Sequence, residues 1–365
     1  LWAGMLWLLH LYRRGYRING SPQAEAVMCA RLAIAVPPDQ EIVVTQADRT
    51  AAACLRLALT QRGYSDRIDK DLFLLNSEFE SNADQLIEHV RRKMPRSQRA
   101  IFLLDQYGYS EVPTERIARI IQSLPGSEVI LTFAIDALLT YFSERSEITR
   151  GLLQKMGIPE VLRGRSFEDI KRSETDWRLM VQSCLYQELV ERCQAKYYTL
   201  FFIRSDRGHG DYWLIHFSQN PRARDVMTRI HWQNNNHFIH YGGPGLDMFR
   251  ALGYVSKNDD QVIGYQHSLF EFDEDAKQAS TDGLVAQIGP MIYADSDGMT
   301  FGELFATTCN LSPASADIYR DAIDILRGHR EIEVISSSTS KATQARIQDG
   351  DRIVISDQRN LFLPR

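Results

Sequence analysis

Between residues 41 and 133, short apolar runs alternate with stretches of helical spacing, and this alternation limits the fold more than any other feature. The apolar runs cover 41–45, 72–75, 100–104 and 128–133. Helical stretches fill 48–62, ended by Gly63, then 82–93 and 113–123. A further helix runs to Val36 from Ser21-Pro22, an N-cap followed by proline at the first helical position. The runs lack clean alternation of apolar and polar residues, as expected of strands covered by helices on both faces. Strands alternating with helices predict βαβ units and a parallel, Rossmann-type sheet. Such sheets hold ligands beyond the carboxyl ends of their strands.

Residues 140–195 predict two or three helices. Aromatic runs at 197–204 and 212–217, joined by Asp206-Arg207-Gly208-His209-Gly210, predict an antiparallel hairpin that extends the same sheet. Residues 232–298 are polar and irregular, and suggest an insertion or linker after a first domain at 1–231. The tail, 299–365, predicts a small separate domain. Thr300 and Glu303 have capping-box spacing, Ser312-Pro313 opens a second helix, and Ile318, Ala322, Ile325 and Leu326 share its inner face. Strands at 331–335 and 352–355 follow. Helices followed by a β-hairpin suggest a winged helix-turn-helix.

Composition removes several classes of function. The 365 residues carry a net charge of −5, which does not favour non-specific nucleic-acid binding. No apolar run reaches the ~20 residues needed to span a bilayer, and the apolar stretch 1–9 lacks the marks of a secretory signal. The five cysteines are scattered and form no CxxC pair, so neither a zinc site nor a disulfide framework is expected, and a cytoplasmic location fits. The histidines at 209, 216, 231, 237 and 240 match no metal-binding spacing, and no metal site is expected. In the tail, eight Lys or Arg face nine Asp or Glu, whereas phosphate neutralisation needs clustered cations.

The sharpest candidate site is Asp105-Gln106-Tyr107-Gly108-Tyr109, directly after the third strand run. Asp105 there can accept a hydrogen bond from a substrate amine or position a nucleophile. Tyr107 can stack on a base, and Gly108 lets backbone approach a ligand. The plainer alternative is a tight turn that holds an Asp. Asp48, after the first run, suits either ribose hydroxyls or the N-cap of the next helix. Asn76 and Glu78 follow the second run and can face the same ligand. Backbone amides after Gly20-Ser21-Pro22 can receive an anion, although Ser21 reads more simply as an N-cap. Leu1-Trp2-Ala3-Gly4 has the look of a glycine-loop remnant.

Several of these segments resemble the three-Cys-motif partner family: Gly20-Ser21-Pro22 before a helix, Asp105 to Ser110, Ser127 to Asp136, the aromatic hairpin and the winged tail. The resemblance spans nearly the whole chain. It implies a Rossmann-type, methyltransferase-like fold that binds S-adenosylmethionine (SAM). It also implies association with a separate three-Cys-motif protein that is itself similar to radical-SAM proteins. On this reading Asp105 and Tyr107 lie at the acceptor site, and Gly4, Ser21, Asp48 and Glu78 belong to the cofactor side. Nucleic acid or a partner macromolecule is the expected substrate. The alternative is a non-catalytic adaptor that docks through the same two parts. The chain departs from the family in two places. It begins inside the family's Asp-Leu-Phe-Ala-Gly-x-Gly loop, as expected of an N-terminally truncated chain, and it carries Gln106 where the family has proline.

Overall fold

A computed structural model describes residues 41–105, 112–135, 138–139, 146–162, 164–173, 177–203, 212–234, 237–241, 245–246, 251–253, 268–294 and 297–356. The chain divides into two compact units, one ending at Gln219 and the other beginning at Asn220.

The first unit is mixed α/β. Strand β1 (Ile42–Thr45) leads to helix α1 (Arg49–Gln61), then β2 (Leu72–Leu75), α2 (Phe79–Lys93), β3 (Ile101–Leu104), α3 (Thr114–Ser123) and β4 (Glu128–Phe133). Helices α4 (Ser146–Met156), α5 (Phe167–Ser173) and α6 (Trp177–Cys193) precede β5 (Tyr197–Ile203) and β6 (Tyr212–Ser218). All four strand runs expected between 41 and 133 form strands, and the aromatic runs pair as antiparallel neighbours.

The sheet differs from the expected one in two respects. Among the described residues, β1 and β2 form their own parallel pair, and β3 and β4 belong to another sheet. That second sheet has the order β3-β4-β6-β5 and is mixed rather than mainly parallel. The return strand β6 docks on β4 along its whole length, from Glu128 opposite Ser218 to Phe133 opposite Trp213. This docking leaves β5 as the edge strand, parallel to β3 and β4.

Burial explains why β4 and β6 are neighbours. Val129, Ile130, Leu131, Thr132 and Phe133 are all at most 2% exposed, so β4 needs cover on both faces. Trp213, Ile215 and Phe217 of β6 are equally buried, and Phe133 stacks on Trp213 with ring centroids 5.8 Å apart. Such a pair contributes about 1 kcal/mol beyond its area. Helix α3 presents Ile117, Ile120 and Ile121 to this core and packs against α6. Arg116 of α3 pairs with Glu80 at 2.6 Å and with Asp84 at 3.0 Å, tying α3 to α2.

The second unit opens with helix α7 (Pro221–Gln233), which Asn220 caps by accepting from the Arg222 amide. Strands β7 (His237–Tyr241), β8 (Ala251–Gly253) and β9 (Ser268–Glu271) form a small antiparallel sheet with β7 in the middle. Next come helix α8 (Glu274–Ala294), β10 (Met299–Thr300), α9 (Phe301–Thr308), a 3-10 turn (Cys309–Leu311), α10 (Ala316–Gly328), β11 (Ile332–Ile335) and β12 (Arg352–Ile355). The last three strands form a sheet in the order β10-β12-β11. Three helices with this three-stranded wing make a winged helix-turn-helix.

Its first helix, α8, lies within the stretch read from the sequence as insertion or linker, and it packs along α10. The Thr300–Glu303 capping box forms in full. The last helix begins later than expected. Ser312-Pro313 stays in the turn, where the Ser312 hydroxyl accepts from the Ala314 amide, and α10 starts only at Ala316. Ile318, Ala322 and Leu326 of α10 are buried as expected, and Ile325 is half-buried.

Candidate functional site

Strand ends position the candidate residues of the first unit. Asp105 is the first residue beyond β3, at its carboxyl end. Thr132, on the neighbouring β4, donates its hydroxyl to Asp105 Oδ1 at 2.8 Å. Thr132 is 2% exposed, so the carboxylate is anchored from within the sheet. Its anchor explains why the sequence has a threonine inside an otherwise apolar strand. Tyr107, Gly4 and Ser21 lie outside the described residues.

Asp48 and Asn76 both lie just beyond the carboxyl ends of the other parallel pair. Asp48 is the N-cap of α1 and accepts from the Ala51 amide at 2.7 Å. Asn76 donates to the carbonyls of Gln46 at 2.8 Å and Ala47 at 3.1 Å, which ties the chain after β1 to the chain after β2. Glu78 is exposed at the N-cap position of α2 but makes no side-chain capping bond. The capping role of Asp48 and the bridging role of Asn76 are thus visible, with the exposed Glu78 carboxylate two residues beyond Asn76.

One polar pair escaped the sequence reading. His216 of β6 is fully buried, and its Nε2 sits 2.9 Å from Glu128 Oε2 on β4. Its Nδ1 finds no partner among the described residues. The only hint in the sequence is a lone histidine within an aromatic strand. Among the described residues no group of three or more His, Cys, Asp or Glu is placed to hold a metal ion.

The winged helix is acidic where such domains commonly meet DNA. Residues 274–356 hold thirteen Asp or Glu against seven Lys or Arg. The outer face of α10 carries Asp317, Asp321 and Asp324. Its two arginines are turned inward. Arg320, with its side chain 16% exposed, bonds Asp317 at 3.0 Å and the Ile347 carbonyl at 3.0 Å, and lies 4.5 Å from the centre of the Phe301 ring. Arg327, 12% exposed, bonds Asp324 at 2.7 Å and the Thr343 carbonyl at 2.9 Å. Burial alone would raise the Asp317 pKa, but the guanidinium groups of Arg229, Arg320 and Arg346 hold it below the usual carboxylate range.

These features define a winged-helix protein with a mixed α/β unit. A family model, the GMT-like wHTH domain, matches residues 256–339, which takes in α8, α9, α10 and β11. Comparison with curated proteins finds no match. Winged helices as a class make nucleic-acid binding a possible activity of this part. Among the described residues no helix is long and apolar enough to cross a membrane.

Proposed function

We propose that the first unit binds SAM and transfers its methyl group to a macromolecule, with Asp105 at the acceptor site. One observation carries this reading: the Asp105 carboxylate is fixed by Thr132 at the carboxyl end of a parallel strand, where sheets of this kind build their sites. The order β3-β4-β6-β5, two parallel strands followed by an antiparallel hairpin, agrees with the methyltransferase-like resemblance. The residues at the strand ends suit the cofactor in kind. Asp48 and Glu78 are exposed carboxylates after β1 and β2, able to accept from ribose hydroxyls. SAM would supply an electrophilic methyl group. Asp105 would accept a hydrogen bond from the acceptor amine and orient its lone pair, while Thr132 holds the carboxylate still.

Calorimetric titration of the chain with SAM, beside Asp105→Ala, tests this. The expected result is binding by both proteins, with transfer of labelled methyl to total cellular RNA, DNA or protein lost in the variant. Absence of SAM binding by either would sink the proposal.

A second reading has its own support. A non-catalytic adaptor would dock through the winged helix, and the acidic face of α10 favours a basic protein over nucleic acid. The three-Cys-motif protein implied by the resemblance is the first partner to test, by co-purification with the tagged chain. A stoichiometric complex that breaks up at high salt, without methyl transfer, would favour this reading.

A further inference from the structure

A helix-turn-helix reads DNA with the N-terminal residues of its recognition helix, and phosphates are received by the free amides at helix N-termini. In this chain both features are already engaged, by helix α7. Ser315, the N-cap residue of α10, makes no side-chain capping bond. The cap comes from 91 residues away: Asp225 Oδ1 accepts from the Ala316 amide at 2.7 Å. Beside it, Arg224 donates to the Ser312 carbonyl at 2.6 Å and the Ala314 carbonyl at 3.2 Å. Two turns further along α7, Trp232 Nε1 donates to the Pro313 carbonyl at 3.0 Å.

The contacts are deeply buried. Arg224 is 1% exposed and Asp225 3%, and Ser312, Ala314, Ser315 and Ala316 are at most 5% exposed. Arg224, Thr228 and His231 form one buried stripe at helical spacing, and the Phe272 ring closes on His231 and Trp232. Helix α7 lies outside the stretch 256–339 matched by the family model, so the cover is an addition to the winged helix proper.

We propose that α7 is an intramolecular occupant of the recognition helix's reading end, with the Asp225 carboxylate in the place a DNA phosphate would take. The winged helix is therefore closed to base reading through the N-terminus of its recognition helix, at Ser315 and Ala316. The acidic outer face of α10 acts in the same direction, since it repels phosphate.

The test is amide hydrogen exchange on the full chain, with and without a mixed-sequence DNA duplex at low salt. The expected result is slow exchange at Ala316 in the free protein and no DNA-dependent protection at 315–320, whether or not DNA binds elsewhere. Asp225→Ala should speed exchange at Ala316 by about tenfold or more, because the opened amide exchanges from a less stable local state. Where that variant fails to fold, Trp232→Phe serves. It keeps a ring against Phe272, removes the donor to Pro313, and should speed exchange across 312–316. DNA-dependent protection at 315–320 in the unaltered chain would overturn the proposal. Unchanged exchange in a folded variant would do so equally.

Discussion

Thr132 holds Asp105 from the adjacent strand, its hydroxyl 2.8 Å from Oδ1. The bond crosses from β4 to the end of β3, so it forms only once the two strands are paired in register. Thr132→Val keeps the shape and removes the donor. The expected cost is about 1–2 kcal/mol, the usual price of leaving a partly buried acceptor short of one bond. Thr132→Ser should recover most of it. Urea denaturation of the three proteins checks this, and a Val variant as stable as the parent would contradict it.

The pair between buried His216 and half-buried Glu128 links β6 to β4 and should matter more. Glu128→Leu leaves the imidazole without its carboxylate in a dry sheet. A loss of about 2–3 kcal/mol is expected, against about 1 kcal/mol for Glu128→Gln, which retains an acceptor. The ordering of the two variants in denaturant midpoint is the measurement. Equal midpoints would mean that the pair contributes no specific interaction.

Acid should loosen the wing through Asp351. Burial works to raise its pKa, but the Gln348 and Ser337 amides, at 2.8 and 2.9 Å, and the Ser337 hydroxyl outweigh burial and hold it below the usual carboxylate range. A carboxyl whose folded pKa is lowered binds its proton more readily in the unfolded chain. Its stabilising effect is therefore present above the unfolded value of about 4 and is lost as pH falls through the folded value. Thermal melts of the parent should drop through this acid range, and those of Asp351→Asn should fall less steeply. Parallel acid limbs would rule out this role for Asp351.

Cysteine reactivity should separate by burial. Desolvation pushes the thiol of Cys193 well up and raises that of Cys309, which keeps the nucleophilic thiolate scarce. Cys54 is exposed on α1. Iodoacetamide at neutral pH, followed by peptide mass spectrometry, should label Cys54 before Cys193 and Cys309, which should stay untouched until denaturant is added. Early labelling of Cys193 would show that α6 opens readily.

Local features of the sequence were enough for many of the elements. The β-branched run at 42–45, the Asp48 cap, the Thr300–Glu303 box and the buried stripe of α10 each depend on neighbours a few residues away, and each appears in the structure. The placement of Asp105 at a strand's carboxyl end was legible for the same reason. Strand order was not, because pairing depends on which apolar surfaces remain to be covered after the helices pack. The return strand β6 took the place beside β4 and made that sheet mixed, while among the described residues β1 and β2 pair with each other. Helix α8 looked like part of a linker because its apolar residues have no strong periodicity, and only its packing on α10 gives it a role.

Arg224 and Asp225 mark the limit most clearly. Nothing near Pro221-Arg222-Ala223-Arg224-Asp225 in sequence marks its charges as buried. Their partners lie 88 to 91 residues away, in a turn whose carbonyls accept from the guanidinium and at the first amide of α10, which donates to the carboxylate. Periodicity and capping are short-range effects, so the sequence alone determined where the strands and helices form in 41–133 and most of those in the tail. Which polar side chains are buried, and what they close, depended on long-range hydrogen bonds that only the tertiary structure brings together.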